Sequence, residues 1–577
     1  MTGSNRRYAH SEATRLLCAG VHLDTVFRAR VLDELVGHEE RPAPPSLGVD
    51  VVSVFTHALR ARRQEAAAAL VLTGIWAGYF LVEYALARHD TAPAAGSFET
   101  GDTGGDVFGT GVLLGVTPVL FYAGVCFLLY SARAANGSGL TMYPASRSDL
   151  VRLRLPRRAT ARGLTLMARA AEIAYVVYAV RRLPDDPFAL LFPLAVVFVV
   201  GVHRAQLTEV MRRELARDVF PATPAALPSG NARASRIARA VLTEQHAAVA
   251  LYDAHRPFVG AGKPYEPWSF AMEITAAKKI GDLGSAAGLK NGDGPRRDGA
   301  DARVQLTNRQ IIDLVRPKLE ELRTSAARDS RDRLGALEID EFVYLPSGVS
   351  RHGGVYGAES ARLHLDGAVD EGGEARRHFL RVRIGAWDEE VVVSVLVRVH
   401  TQGRMLVLEV VPHVLGPVTE DYRRADLIAA HRDGDAPREI VRTLLTGPAT
   451  SVVAGVSGLH IVVQYVRTWL TRPEQAPPDA PLASVRELGS TDSLSLFQEM
   501  DVSRYIKTVE DRIASGVREA LRSHGCDTGE FEQNIVNVAA GGQFIGQMSG
   551  GTAVGRISKS AVAMGSGGAS YTEGATG

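Results

Sequence analysis

The chain has 577 residues, enough for three or four units of about 100–200 residues each. Its 65 lysines and arginines against 64 acidic residues leave no global field that would draw it to nucleic acid. Cys18, Cys126 and Cys526 lie far apart without a CxxC pair, which argues against a zinc knuckle or a disulfide framework and fits a reducing compartment.

The N-terminus, MTGSNRRYAHSEATRLL, lacks the apolar core of a secretory signal, so residues 1–65 are expected to form a helical cytoplasmic segment. Leu16, Val21, Leu23, Val26, Val31, Leu32 and Leu35 recur at three- and four-residue steps and predict a helix over 11–37. RPAPPS at 41–46 ends it.

AAAALVLTGIWAGYFLVEYALA at 66–87 carries one charge, Glu83, and is long enough to cover a hydrocarbon core of about 30 Å. Similar segments predict an α-helical membrane bundle over 66–203, with spans at about 66–87, 109–132, 164–180 and 187–203. Arg60, Arg62 and Arg63 precede the first span, and seven arginines crowd 133–162 against Asp149 alone. The positive-inside rule then places the N-terminus and that loop in the cytoplasm. RRLPDD at 181–186 runs against this, because it would leave two arginines outside.

Within the spans, Glu83 and the pair Arg169/Glu172 are the intramembrane polar candidates, and residues of that kind are functional candidates by default. Gly74/Gly78 and Gly111/Gly115 each make a GxxxG spacing that permits close helix packing.

Residues 204–445 read as a cytoplasmic α+β domain. NARASRIARAVLTEQHAA (231–248) is expected to be helical, and WSFAMEI (268–274) alternates as a half-buried strand does. Thr307 and Gln310 stand at capping-box spacing before a helix over 308–326. Between 379 and 412, FLRVRIGA, EVVVSVLVRVH and RMLVLEVVP are separated by short links, which predicts an antiparallel sheet.

Residues 446–491 hold an apolar helix and a proline-rich linker. The stretch 452–470 is long enough to span, but His460, Gln464 and Arg467 favour a helix that is buried or lies on the membrane surface. Within 492–530, Val502, Tyr505, Ile506, Val509, Ile513, Val517 and Leu521 make one stripe, suited to a partner or to self-association. The tail 531–577 is glycine-rich and β-prone, with Phe544-Ile545-Gly546, Ala553-Val554-Gly555 and Ala563-Met564-Gly565 recurring at nine and ten residues as candidate assembly rungs. In composition it resembles bacterial β-stacking signalling tails.

Catalytic patterns fail on inspection. GAGKP at 260–264 lacks the first glycine of a phosphate loop and has Pro264 where Ser or Thr should hold magnesium, so it reads as a turn. GVSG at 455–458 is followed by Leu459 and makes no nucleophile elbow, and the histidines show no HExxH. No catalytic residue, cofactor or metal is therefore expected.

RYAHSEATRLLCAGVHLDTVFRARVLDELV, PPSLGVDVV and RPFVGAGKPYEPWSFAMEI, in that order around arginine-flanked spans, resemble multi-span membrane proteins of high-GC actinobacteria. The resemblance implies a multi-pass plasma-membrane location and no particular activity. The expected function is a membrane anchor, scaffold or sensor, in stress or defence signalling, that contacts lipid and recruits a protein partner or self-associates through 492–577. The alternatives are a small transporter or channel using Glu83 or Arg169/Glu172, and a hydrolase in the cytoplasmic domain.

Overall fold

The structure, a computed structural model, describes residues 8–90, 117–136, 155–225, 227–228, 231–277, 306–329, 332–347, 354–371, 373, 376–402, 404–430, 436–477 and 479–539. Gly111, Gly115 and the tail positions Phe544, Ile545, Gly546, Val554, Gly555, Met564 and Gly565 lie outside them.

The N-terminal cap holds two helices, α1 (Glu12–Leu23) and α2 (Thr25–Leu32), where one was expected. Asp24 divides them: its backbone is extended, and its carboxylate accepts from Val26 N and Phe27 N to start the second helix. The chain then enters α3 (Val51–Asp90), a 40-residue helix about 60 Å long. Its first turns bury Val52, Phe55 and Ala58 in the cap core, and its later turns bring Leu72 and Tyr79 to a second core.

That second core belongs to a helical bundle completed by α4 (Thr117–Ala135), α5 (Leu155–Arg182) and α6 (Phe188–Arg213). α4 and α5 run antiparallel, with Asn136 bonded to Thr165 at one end and Phe121 edge-on to Tyr175 further along. α3 and α6 do the same: Arg60 meets Glu214 at 2.5 Å, and the Tyr79 and Phe192 rings stack with centroids 4.7 Å apart. Among the described residues, five helices are long and apolar enough to cross a membrane, the fifth lying at Ile440–Gln475.

After α7 (Ala232–Glu244) come β1 (Val249–Tyr252), β2 (Lys263–Pro264), β3 (Trp268–Glu273), α8 (Asn308–Asp329), β4 (Glu338–Pro346), α9 (Ala358–Ala368), β5 (Arg377–Ala386), β6 (Val391–Gln402) and β7 (Met405–Leu415). The sheet order is β1-β4-β5-β6-β7-β2, with β3 also on β7. The expected antiparallel sheet is corrected here, because the sheet is mixed: β1 runs parallel to β4, Val249 opposite Val343. A parallel pair needs a crossover, and the connection through α8 supplies it. The predicted meander is present as β5, β6 and β7, and the Thr307/Gln310 capping box is formed.

The remaining helices are α10 (Arg424–Ala429), α11 (Ala436–Thr471), α12 (Val485–Leu488), α13 (Leu496–Ser523) and α14 (Gly529–Ala539). The stripe expected over 501–525 lies in α13, where Val502, Val509, Ile513 and Val517 are buried with the sheet residues Val382, Val395 and Leu408. That stripe is thus spent inside the domain, and at the start of the helix Leu496, Phe497 and Met500 remain exposed.

Candidate functional site

The FLRVRI alternation decides where the domain's chemistry sits. Strand period two sends Leu380, Val382 and Ile384 into the core under α8 and α13, and leaves Arg381 and Arg383 on the opposite face. β4 supplies the complement: Glu338 stands opposite Arg383 and Asp340 opposite Arg381, in cross-strand register. The ion pairs close at 3.1 Å for Arg383–Glu338 and 3.1 Å for Arg381–Asp340. Arg381 also lies 4.0 Å over the Phe342 ring.

This ladder floors a cleft of about 580 Å³ between the sheet and the cap. Tyr8, Pro45, Ser46 and Leu47 form the cap wall, Gln245, His246 and Ala248 the linker wall, and Arg309, Arg362 and Asp366 the helical rim. The Tyr8 hydroxyl donates to Glu338 at 2.9 Å and accepts from Arg383 Nη1 at 2.9 Å, which ties the cap to the floor. Arg383 is 2 % exposed and also bonds Glu389. Glu389 follows Trp387 and Asp388 in a turn where all three φ angles are positive (54°, 56° and 71°). Strain of that kind costs about 1–3 kcal/mol per residue and persists only when held, here by the Arg383–Glu389 and Arg333–Asp388 pairs.

At the edge of the cleft, Glu341 gathers Arg309 at 3.0 Å, Arg316 at 2.6 Å and His378 at 3.0 Å. The His378 hydrogen bond and the charge of Arg309 bring its carboxyl down to about 2. Four arginines and four carboxylates line the cleft, so its surface alternates in sign.

The linker wall connects to the bundle. Gln245 Oε1 accepts Val51 N at 3.0 Å, and its Nε2 donates to Asp50 at 3.1 Å, so one side chain clamps the first turn of α3. Nearby, the glycines of GAGKP form a turn, as expected, while its Lys263 and Pro264 are β2, and the reason is specific. Gly260 N and Gly262 N both donate to Glu487 Oε1, at 2.8 and 3.2 Å, so the N–H cradle that would hold a phosphate holds the protein's own carboxylate. Gly262 has φ +92°, and a Cβ there would stand 2.3 Å from Val414 O. Gly262→Ala is expected to cost roughly 1–3 kcal/mol, read as a lower midpoint of thermal unfolding; an unchanged midpoint would refute this account of the turn.

In the bundle, Glu83 is buried and faces Asp186, and one oxygen of each has no hydrogen-bond partner among the described residues. Tyr79 and Tyr175 hydroxyls meet nearby at 3.1 Å. Arg169 and Glu172 pair at 2.5 Å, and Arg169 also donates to Leu445 O. Tyr79 is four residues from Glu83 on α3 and Tyr175 three residues from Glu172 on α5, so the hydroxyl pair reaches from one acidic group to within a turn of the other. Among the described residues, a Cβ on Gly74 would meet nothing within 4 Å and one on Gly78 only Phe192 at 3.6 Å, so neither glycine is needed there for a close helix approach.

The sequence reading missed Tyr8, Glu338, Asp340, Arg381 and Arg383 as a group. The available signal was Glu338 and Asp340 two residues apart in EIDEFVYLP, opposite in sign to the two arginines of FLRVRI.

Residues 267–553 match the AbeC-like domain family. That stretch contains β3 to β7, α11, α13 and α14. No curated protein and no solved structure matches the chain.

Proposed function

We propose that the chain is a multi-pass membrane anchor that holds its sheet domain on the cytoplasmic face and recruits a protein partner at the cap–sheet cleft, as a sensor or scaffold would. The clamp of Gln245 on Asp50 and Val51 carries this reading, because the cleft wall and the first long apolar helix share one hydrogen-bonded joint. Occupation of the cleft would bear on α3 without any intermediate linker. Arg60, Arg62 and Arg63 lie in α3 ahead of its apolar stretch, and Arg212 and Arg213 close α6; the Arg60–Glu214 pair brings the two together, which supports a cytoplasmic flank.

The test uses the full chain in its native membrane. The chain is expected to resist alkaline carbonate extraction and to cross-link to a partner. The double reversal Arg362→Glu with Asp366→Lys, both side chains exposed on the rim, is expected to lower that cross-link more than tenfold. Removal of 540–577 is a second arm that spares α13 and the core. Retention of every cross-link in both variants would end the recruitment proposal.

A further inference from the structure

We propose that α11 is a monotopic membrane helix, which dips into the bilayer from the face bearing the cap and sheet and returns to that face with its apolar side against lipid. The proposal rests on the membrane insertion of α3 to α6 proposed above and adds the role of the fifth apolar helix. Length and composition alone would let it cross.

Its two ends forbid that. The segment before α10 and the segment after α12 bond to each other: Val418 bridges Ser490, and Thr491 N donates to Pro417 O at 2.8 Å. The chain leaves the sheet domain and rejoins it at one point, so both ends of the intervening α11 lie on one side. Contacts near the ends agree. Asp426, shortly before α11, accepts from Arg15 of α1 at 2.7 Å, while Arg467 near its end meets Asp33 at 3.6 Å and Glu474 beyond it meets Arg236 at 3.0 Å.

The path of the helix is a shallow excursion. Thr443 lies against Gly201, Gly447 against Val197 deeper along α6, then Gly458 against Ala69 of α3, and Gln464 reaches Ala29 O of the cap. Pro448 sits at the deep part of this path, where a missing N–H lets a helix bend. With 36 residues, α11 is about 54 Å long, well over a hydrocarbon core of about 30 Å, which suits an oblique helix.

The surface names the occupant. At about 100° per residue, Val456, Leu459, Val463, Val466 and Leu470 form one exposed stripe. Tyr465 and Trp469 stand beside it, 74 % and 66 % exposed, and Thr450, Val453 and Ser457 are buried on the other side against the bundle. Amphipathic aromatic rings near a helix end favour the headgroup region. The helices that α11 packs on, α3, α4 and α6, likewise present Leu70, Phe127 and Phe198 outward, so the stripe continues a surface that an inserted bundle must turn to lipid. The AbeC-like match includes α11, so this membrane contact belongs to that domain and not to the preceding bundle alone.

The experiment places Glu420→Cys and Pro477→Cys, both exposed, in the full chain, whose own cysteines are all buried. An impermeant maleimide applied to vesicles of either orientation is expected to label both positions from the same face. Labelling from opposite faces would overturn the proposal while leaving insertion intact; extraction by carbonate would instead overturn the insertion on which it rests. In vesicles of lipids brominated on the acyl chains, Trp469→Phe is expected to lose part of the quenched tryptophan emission. Equal quenching in the two proteins would refute lipid contact, and a Tyr465→Cys disulfide dimer with equal quenching would assign the face to a second copy.

Discussion

Arg15→Ala is expected to destabilise the folded chain by about 3–5 kcal/mol, the range for breaking a buried ion pair and leaving its partners uncompensated. Arg15 is 1 % exposed, and its guanidinium joins three parts of the protein. It donates to Glu12 within α1 at 2.6 and 2.8 Å, to Leu215 O just beyond α6 at 2.9 Å, and to Asp426 of α10 at 2.7 Å. Burial alone would raise the Glu12 carboxyl, but the arginines beside it override that and hold it below its ordinary value. Arg15→Lys is expected to recover only part of the loss, since an ammonium cannot reproduce the planar fork. Chemical unfolding in detergent micelles measures both variants, and a loss under about 1 kcal/mol for the alanine would show that the cap, bundle and sheet domain are not held at this residue.

Sequence pattern revealed the elements whose causes are local. The β5–β7 meander shows because period-two alternation and short links sit side by side, and the start of α8 shows because Thr307 and Gln310 are three residues apart. The parallel partner of β1 was hidden, since VALY is four residues long and pairs across a long connection. Arg15 was hidden for another reason: an arginine one turn from Glu12 looks like a solvated helix pair, and only the fold brings Leu215 and Asp426 to it. The same holds for Glu487, whose capping box with Ser484 is local while its bonds to Gly260 and Gly262 are not. Residues 452–470 were the instructive middle case. Composition left spanning and surface-lying forms open, and the Val418–Ser490 bridge bears on the choice because it joins the chain on either side of the helix.

Glu341→Gln is expected to destabilise the sheet domain by about 2–3 kcal/mol at neutral pH and to remove part of its acid sensitivity. The Glu341 side chain is 16 % exposed and holds Arg309, Arg316 and His378, with its carboxyl lowered to about 2 from an ordinary 4.5. A depressed folded pKa means the unfolded chain takes up the proton first. The stabilisation is therefore complete above the unfolded value near 4.5 and is lost as pH falls through about 2. Thermal unfolding of the full chain in lipid nanodiscs, followed by tryptophan fluorescence from pH 7 downward, reads this out. The gap between parent and variant should be widest at pH 7 and narrow progressively below pH 4.5, because a protonated Glu341 then resembles the neutral amide. A gap that stays constant down to pH 2 would mean that Glu341 contributes shape to the edge of the cleft and not charge, and the alternating electrostatic surface inferred for partner recognition would lose its best-paired carboxylate.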